Sequence, residues 1–183
     1  MRPARFLIVL LLAYLAVFVQ GGFDVPRVWL NGQINLVPPL MVYAALRLNL
    51  TCVTALAVLA GLWLDSLSAN PLGASILPLF LTGFLLLPQR EVLLQELDYA
   101  QLVLGAAASA AVPILTLILV LTKGLDPGIG WHSLWQLAVL TITGGVLTPA
   151  LFRLLDRIEK ALLHPPAPTL LFRPDRDMRR GRY

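Results

Sequence analysis

The sequence predicts an all-α, polytopic membrane protein whose six helices pack as one compact bundle. Three observations predict it. Hydrophobic residues make up 58% of the 183 and charged residues only 13%, against about 25% charged in ordinary globular domains. The apolar residues lie in long Leu- and Ala-rich runs, and about 20 such residues cross a bilayer as a helix. The runs do not alternate apolar with polar, which excludes a transmembrane barrel.

The expected spans are 4–22, 34–47, 50–67, 71–88, 99–122 and 132–155. The first could be mistaken for a secretion signal, with Arg2 and Arg5 ahead of the apolar stretch Phe6 to Val19. Val19-Gln20-Gly21-Gly22 is a poor small-x-small cleavage site, so it reads as a retained helix. The second span is short and carries Pro38-Pro39, which points to a tilted, kinked or partly interfacial segment. In the third, Ala57 and Gly61 are four apart, a spacing at which small side chains let helix backbones approach. Asn70-Pro71 reads as cap and first turn of the fourth. The fifth offers Gly105, Ala107, Ser109 and Ala111 as a packing or partner-contacting face, and the sixth adds Gly145 and Pro149. Internal packing is the expected use of these faces. Pro38, Pro39, Pro78, Pro113 and Pro149 would kink their helices, which suits either a compact bundle around a cavity or the ordinary tolerance of proline in membranes.

Orientation follows from the basic residues, which favour the cytoplasmic side. With the amino terminus inside, twelve of the fourteen are cytoplasmic and only Arg27 and Lys123 are outside. Six spans bring both termini to the same side. Phe23, Trp29 and Trp131 fit an outer aromatic belt, and Gln89 to Asp98 reads as a short helix lying on the inner surface. The sixth helix runs on past the membrane, with Leu151, Leu154, Leu155, Ile158 and Leu162 on one face, Arg153, Asp156, Arg157, Glu159 and Lys160 on the other, and Asp156 and Lys160 spaced for pairing. The transmembrane domain is thus expected over 1–163. Pro165, Pro166 and Pro168 end the helix, and 164–183 reads as a disordered basic tail against anionic lipid heads. Topology explains the net charge of +4 better than nucleic-acid binding does. Cys52 reads as a small buried side chain.

Chemistry concentrates between Gly61 and Gly73. Asp65 is the acidic residue of an apolar span, and a carboxylate at membrane depth needs a partner or a purpose. One account is local: Asp65, Ser66 and Ser68 tie the turn into Asn70-Pro71. The other is ligand binding, and it gains from the fact that a negative charge at a helix carboxy end opposes the helix dipole. The local account is preferred. No catalytic, cofactor or metal site is expected. Asp65 has no second intramembrane carboxylate to share a proton with. His132 and His164 fall on opposite membrane sides. Neither His-Glu-x-x-His nor Gly-x-Ser-x-Gly occurs, and no polar stripe for a pore is evident.

Asn35 to Tyr43, Gly61 to Asp65 with Pro71-Leu72-Gly73, and Thr148-Pro149-Ala150-Leu151-Phe152 occur in an order and spacing that resembles the rod shape-determining MreD family, over about residues 4–160. The resemblance implies a non-catalytic subunit of the bacterial inner membrane. It would work beside MreC, the actin-like MreB, and the peptidoglycan polymerase and transpeptidase of cell elongation. It also implies the six-helix bundle of substrate-binding subunits of energy-coupling-factor vitamin transporters. The adjacent prolines of the second span and the arginine-rich tail depart from the family pattern. The leading expectation is therefore a scaffold that binds MreC through lateral helix faces and the outer surface near Asp65. The alternative is a solute-binding subunit of a vitamin-type transporter, with Asp65, Ser66, Ser68 and Asn70 supplying polar groups to an outward pocket.

Overall fold

The computed structural model describes residues 3–22, 33–68, 71–89, 98–124 and 130–163. Among them are six α-helices and no strand: α1 (Pro3–Gly22), α2 (Val37–Arg47), α3 (Leu50–Leu67), α4 (Ile76–Leu86), α5 (Asp98–Thr122) and α6 (Trp131–Leu163), with one 3-10 turn, Leu87–Gln89, after α4. Four of the helices, α1, α3, α5 and α6, are long and apolar enough to cross a membrane. The expected aromatic belt at Phe23 and Trp29, the surface helix between Arg90 and Leu97, the cap at Asn70 and the tail from His164 onward lie outside the described residues.

The second span departs most from expectation. Every residue of α2 from Val37 to Leu46 is buried. It is a continuous helix and a central post packed on by α1, α3, α4, α5 and α6. A helix that is apolar on all sides belongs inside a bundle. Its prolines are harmless because Pro38 and Pro39 fall in its opening turn, where the missing N–H has no helical partner to lose. Asn35 begins the helix: its Oδ1 accepts the Val37 N–H at 3.0 Å. Residues 34–36, expected to be helical, lie outside the helix, although Leu36 already has right-handed helical backbone angles.

The fourth span also begins later than its Asn-Pro signal suggests. Pro71 does not open the helix. Leu72 to Ser75 form a turn in which the Ala74 N–H reaches the Pro71 carbonyl at 3.1 Å. Gly73 sits at its third position with φ +91°, the left-handed conformation that favours glycine there. Helix α4 starts at Ile76, so Pro78 lies in its first turn and kinks nothing.

Close approach of backbones sets the packing. A Cβ on Gly61 would lie 2.9 Å from the Ile76 Cα, and one on Gly83 would lie 2.7 Å from Val53 Cγ1. Glycine at these two points lets α4 press onto α3 and α2. In lipid no hydrophobic force separates helix from solvent, so such dispersion contacts carry more of the association. Helices α5 and α6 form the most extensive pair.

One end of the bundle is charged. Arg5 of α1 pairs with Glu159 of α6, and Arg47 of α2 pairs with Asp156 at 3.7 Å. Asp156 therefore reaches across to α2 instead of serving Lys160 along its own helix. Below these pairs Tyr43 meets Phe152 edge-on, with centroids 4.9 Å apart. Helix α6 continues unbroken to Leu163, as its expected extension requires. Phe152 and Leu155 form its buried face, whereas Leu154, expected there, is exposed.

Candidate functional site

Asp65 lies one turn from the end of α3, and its side chain is 2% exposed. Oδ2 accepts two backbone amides from the turn ahead of α4, Gly73 N–H at 2.8 Å and Ser75 N–H at 3.1 Å. The first amides of a helix have no intrahelical acceptor, and they carry the positive end of its dipole. Asp65 sits at the unfavourable end of its own helix but caps the favourable end of the next one. That resolves the electrostatic objection to a carboxylate here. Ser68 donates its hydroxyl to the Asp65 carbonyl at 3.4 Å, and Ser66 donates to Trp63 at 2.8 Å.

Gly61, Asp65, Pro71 and Gly73 are thus brought together into one clasp between α3 and α4. Gly61 admits the start of α4, Asp65 ties it, and Pro71 and Gly73 shape the turn. Oδ2 is spent on amides, and the side chain of Asp65 itself is kept off the surface. Its second oxygen, Oδ1, is buried without a hydrogen-bond partner.

The small residues of α5 divide. Gly105 and Ser109 face α6, where a Cβ on Gly105 would overlap the Thr148 hydroxyl and a Cβ on Gly144 would overlap that of Ser109. The two antiparallel helices therefore interlock reciprocally, each offering a glycine to a hydroxyl four residues from the other's glycine. Thr148 returns its proton to the Gly144 carbonyl at 2.7 Å, whereas the Ser109 Oγ, equally buried, has no partner. Ala107, expected on the same face, is exposed, and Ala111 and Pro149 are half-buried. Gly105 and Ser109 pack internally, as do Ala57, Gly61 and Gly145.

At the end of the bundle opposite the charged pairs is a cavity of ≈ 650 Å³. Its polar wall comes from Gln20, Asn35, Ser75, Ser109, Thr116 and Gln136, with Gln33 and Ser68 at its edge. Valine, leucine and proline side chains, including Pro38 and Pro113, form the rest. Of the pocket residues anticipated from sequence, only Ser68 lines it. Asp65 and Ser66 do not, and Asn70 lies outside the described residues. The amides were passed over because each stands alone at the edge of an apolar run. The visible signal was a carboxamide near the expected outer end of the first, second and sixth spans.

No protein-family model matches the chain, and no curated protein or solved structure matches it either.

Proposed function

We propose that the chain is a non-catalytic scaffold of the bacterial inner membrane that binds MreC and supports peptidoglycan synthesis during cell elongation, as a member of the MreD family. The observation that carries this reading is where the three resembling stretches fall. Asn35 to Tyr43 starts and forms the buried post α2. Gly61 to Gly73 is the clasp between α3 and α4. Thr148 to Phe152 locks α6 against α5 through Gly105 and against α2 through Tyr43. All three serve architecture, and none assembles a nucleophile with a base.

In this reading the chain crosses the membrane six times with both termini in the cytoplasm, and the charged end of the bundle faces inward with the basic loops. Alone, α2 and α4 are each about 16 Å long, against a hydrocarbon core of about 30 Å. The non-helical residues before α2, and the turns flanking α4, make up part of the remaining path. MreC docks on lateral faces, for which α1 supplies Leu7, Leu11, Tyr14 and Phe18, all exposed. MreB and the polymerase and transpeptidase join through the complex.

The test is co-purification with MreC after bulk changes on each exposed face, Leu11→Trp and Phe18→Ala on α1, Ile114→Trp on α5 and Ile142→Trp on α6. At least one face is expected to lose MreC while the chain stays folded and monodisperse. Retention of MreC by every variant would rule out lateral docking. The cavity is the one observation that favours a transporter subunit instead, and it bears on ligand chemistry whichever role the chain plays.

A further inference from the structure

The cavity wall, among the described residues, carries no ionisable side chain. Its polar groups are carboxamides and hydroxyls, which both donate and accept. Several have capacity to spare. The Gln20 Nε2 is buried and has no hydrogen-bond partner. Thr116 donates its proton to the Val112 carbonyl at 2.8 Å and keeps its lone pairs. Pro113 has no N–H to offer the carbonyl of Ser109, four residues earlier, and both residues line the cavity. The proline of α5 thereby leaves the Ser109 carbonyl without its helical donor at the wall.

Water could satisfy these groups, yet water fits only part of this surface. Val17, Val112, Leu117 and Val120 line the same space, and filling it with water would leave their apolar area wetted. Among the described residues no aromatic ring lines it, so none of them offers a planar or sugar ring a stacking platform. A charged head finds no counter-ion among the described residues, and a charge desolvated without one is strongly penalised. The volume falls within the range of small-molecule sites, about 300–1,000 Å³.

We propose that this cavity binds an uncharged amphiphile, a compact head bearing hydroxyl or amide groups joined to an aliphatic portion. The head hydrogen-bonds with Gln20, Gln136 and the Ser109 region, and the aliphatic part covers the valine and leucine wall. Such chemistry comes either from a neutral membrane lipid of the acylglycerol kind or from a water-soluble molecule with the same head. The site requires neither the scaffold reading nor a transport role.

The test uses the full chain in nanodiscs of dioleoylphosphatidylcholine and dioleoylphosphatidylglycerol, with adducts counted by native mass spectrometry. Three probes are titrated: monoolein, monobutyrin with the same head on a short chain, and oleate with a charged head on the long chain. One adduct per chain is expected from monoolein, with oleate at least tenfold weaker. Binding of monobutyrin as well identifies a soluble source as sufficient, and its failure beside monoolein identifies a lipid. Gln20→Leu and Gln136→Leu are each expected to weaken the adduct at least tenfold. No adduct from either glycerol ester overturns the proposal, as does oleate binding equally well. So does undiminished binding in both variants. Should one variant misfold, the other and the comparison of probes still decide.

Discussion

The carboxylate of Asp65 holds the backbone amide of Gly73 at 2.8 Å across the turn between α3 and α4. The same oxygen also holds Ser75 N–H. Two donors, Ser75 buried and Gly73 part-buried, therefore depend on one side chain. Asp65→Ala strands both, and an unmade hydrogen bond at a buried site costs about 1–3 kcal/mol. Asp65→Asn keeps one acceptor oxygen of the right shape, and its new NH₂ can turn toward the position where Oδ1 has no partner. The expected order of stability in detergent unfolding is wild type, then Asn, then Ala, with Ala lower than Asn by at least about 1 kcal/mol. If Asn and Ala are equal, Asp65 is not acting as a hydrogen-bond acceptor for the turn.

Gly61→Ala tests the close approach in the same clasp. On an exposed helix this change is favourable by about 1 kcal/mol. Here the added methyl would sit 2.9 Å from the Ile76 Cα and 3.0 Å from its N, and backbone cannot swing aside as a side chain can. Overpacking of this kind destabilises by about 1–3 kcal/mol. Gly22→Ala is the control, since nothing lies within 4 Å of its added carbon. Thermal unfolding should show Gly61→Ala well below wild type and Gly22→Ala level with it or above it.

These two residues also show what the sequence made legible. A carboxylate in an apolar run, a glycine one turn before it and Pro-Leu-Gly after it were enough to mark a structural turn. The direction of the capping was hidden, because Asp65 acts on amides eight and ten residues ahead and no local pattern reports that. Asn70-Pro71 misled for the opposite reason: it is a sound local signal, overridden by Gly73, whose left-handed backbone delays the helix to Ile76. The long helices α1, α3, α5 and α6 were readable because length and apolarity alone define them. The burial of α2 was not, since a helix of 11 residues, apolar but for Arg47, reads equally well as a marginal span or a core post. The cavity was least legible. Gln20, Asn35, Thr116 and Gln136 come from four separate segments, and only the fold makes them neighbours.

The two ion pairs at the charged end should differ in weight. Both partners in Arg47–Asp156 are about 40% exposed and 3.7 Å apart. Solvent screens such a pair to about 0–1 kcal/mol. Glu159 is only 17% exposed, and the Nε of its partner Arg5 is buried with no other hydrogen bond. Glu159→Gln should therefore destabilise more than Asp156→Asn, and raising salt should erase the Asp156→Asn effect first. Equal losses, or the reverse order, in denaturation at low and high salt would contradict this.

The reciprocal lock between α5 and α6 makes the sharpest prediction, because it names a rescue. In Gly144→Ala the new methyl lands on the Ser109 hydroxyl, and the helices must part. The Ser109 Oγ has no hydrogen bond to lose. Ser109→Gly therefore removes the obstacle at little cost beyond helix propensity, about 0.5 kcal/mol. The double variant Ser109→Gly with Gly144→Ala moves the methyl from one helix to the other and leaves the crossing filled. Neighbouring residues that share a contact couple by about 0.5–3 kcal/mol, and here the coupling should be positive and at least about 1 kcal/mol. Gly105 with Thr148 is the matched comparison that should respond less well to the same swap. Thr148 is also tied to the Gly144 carbonyl at 2.7 Å, so Thr148→Gly gives up a hydrogen bond as well as a side chain. Unfolding measured across both cycles in one detergent gives the two couplings side by side. Additive losses in the Ser109 and Gly144 cycle would mean that the two helices do not meet at this point.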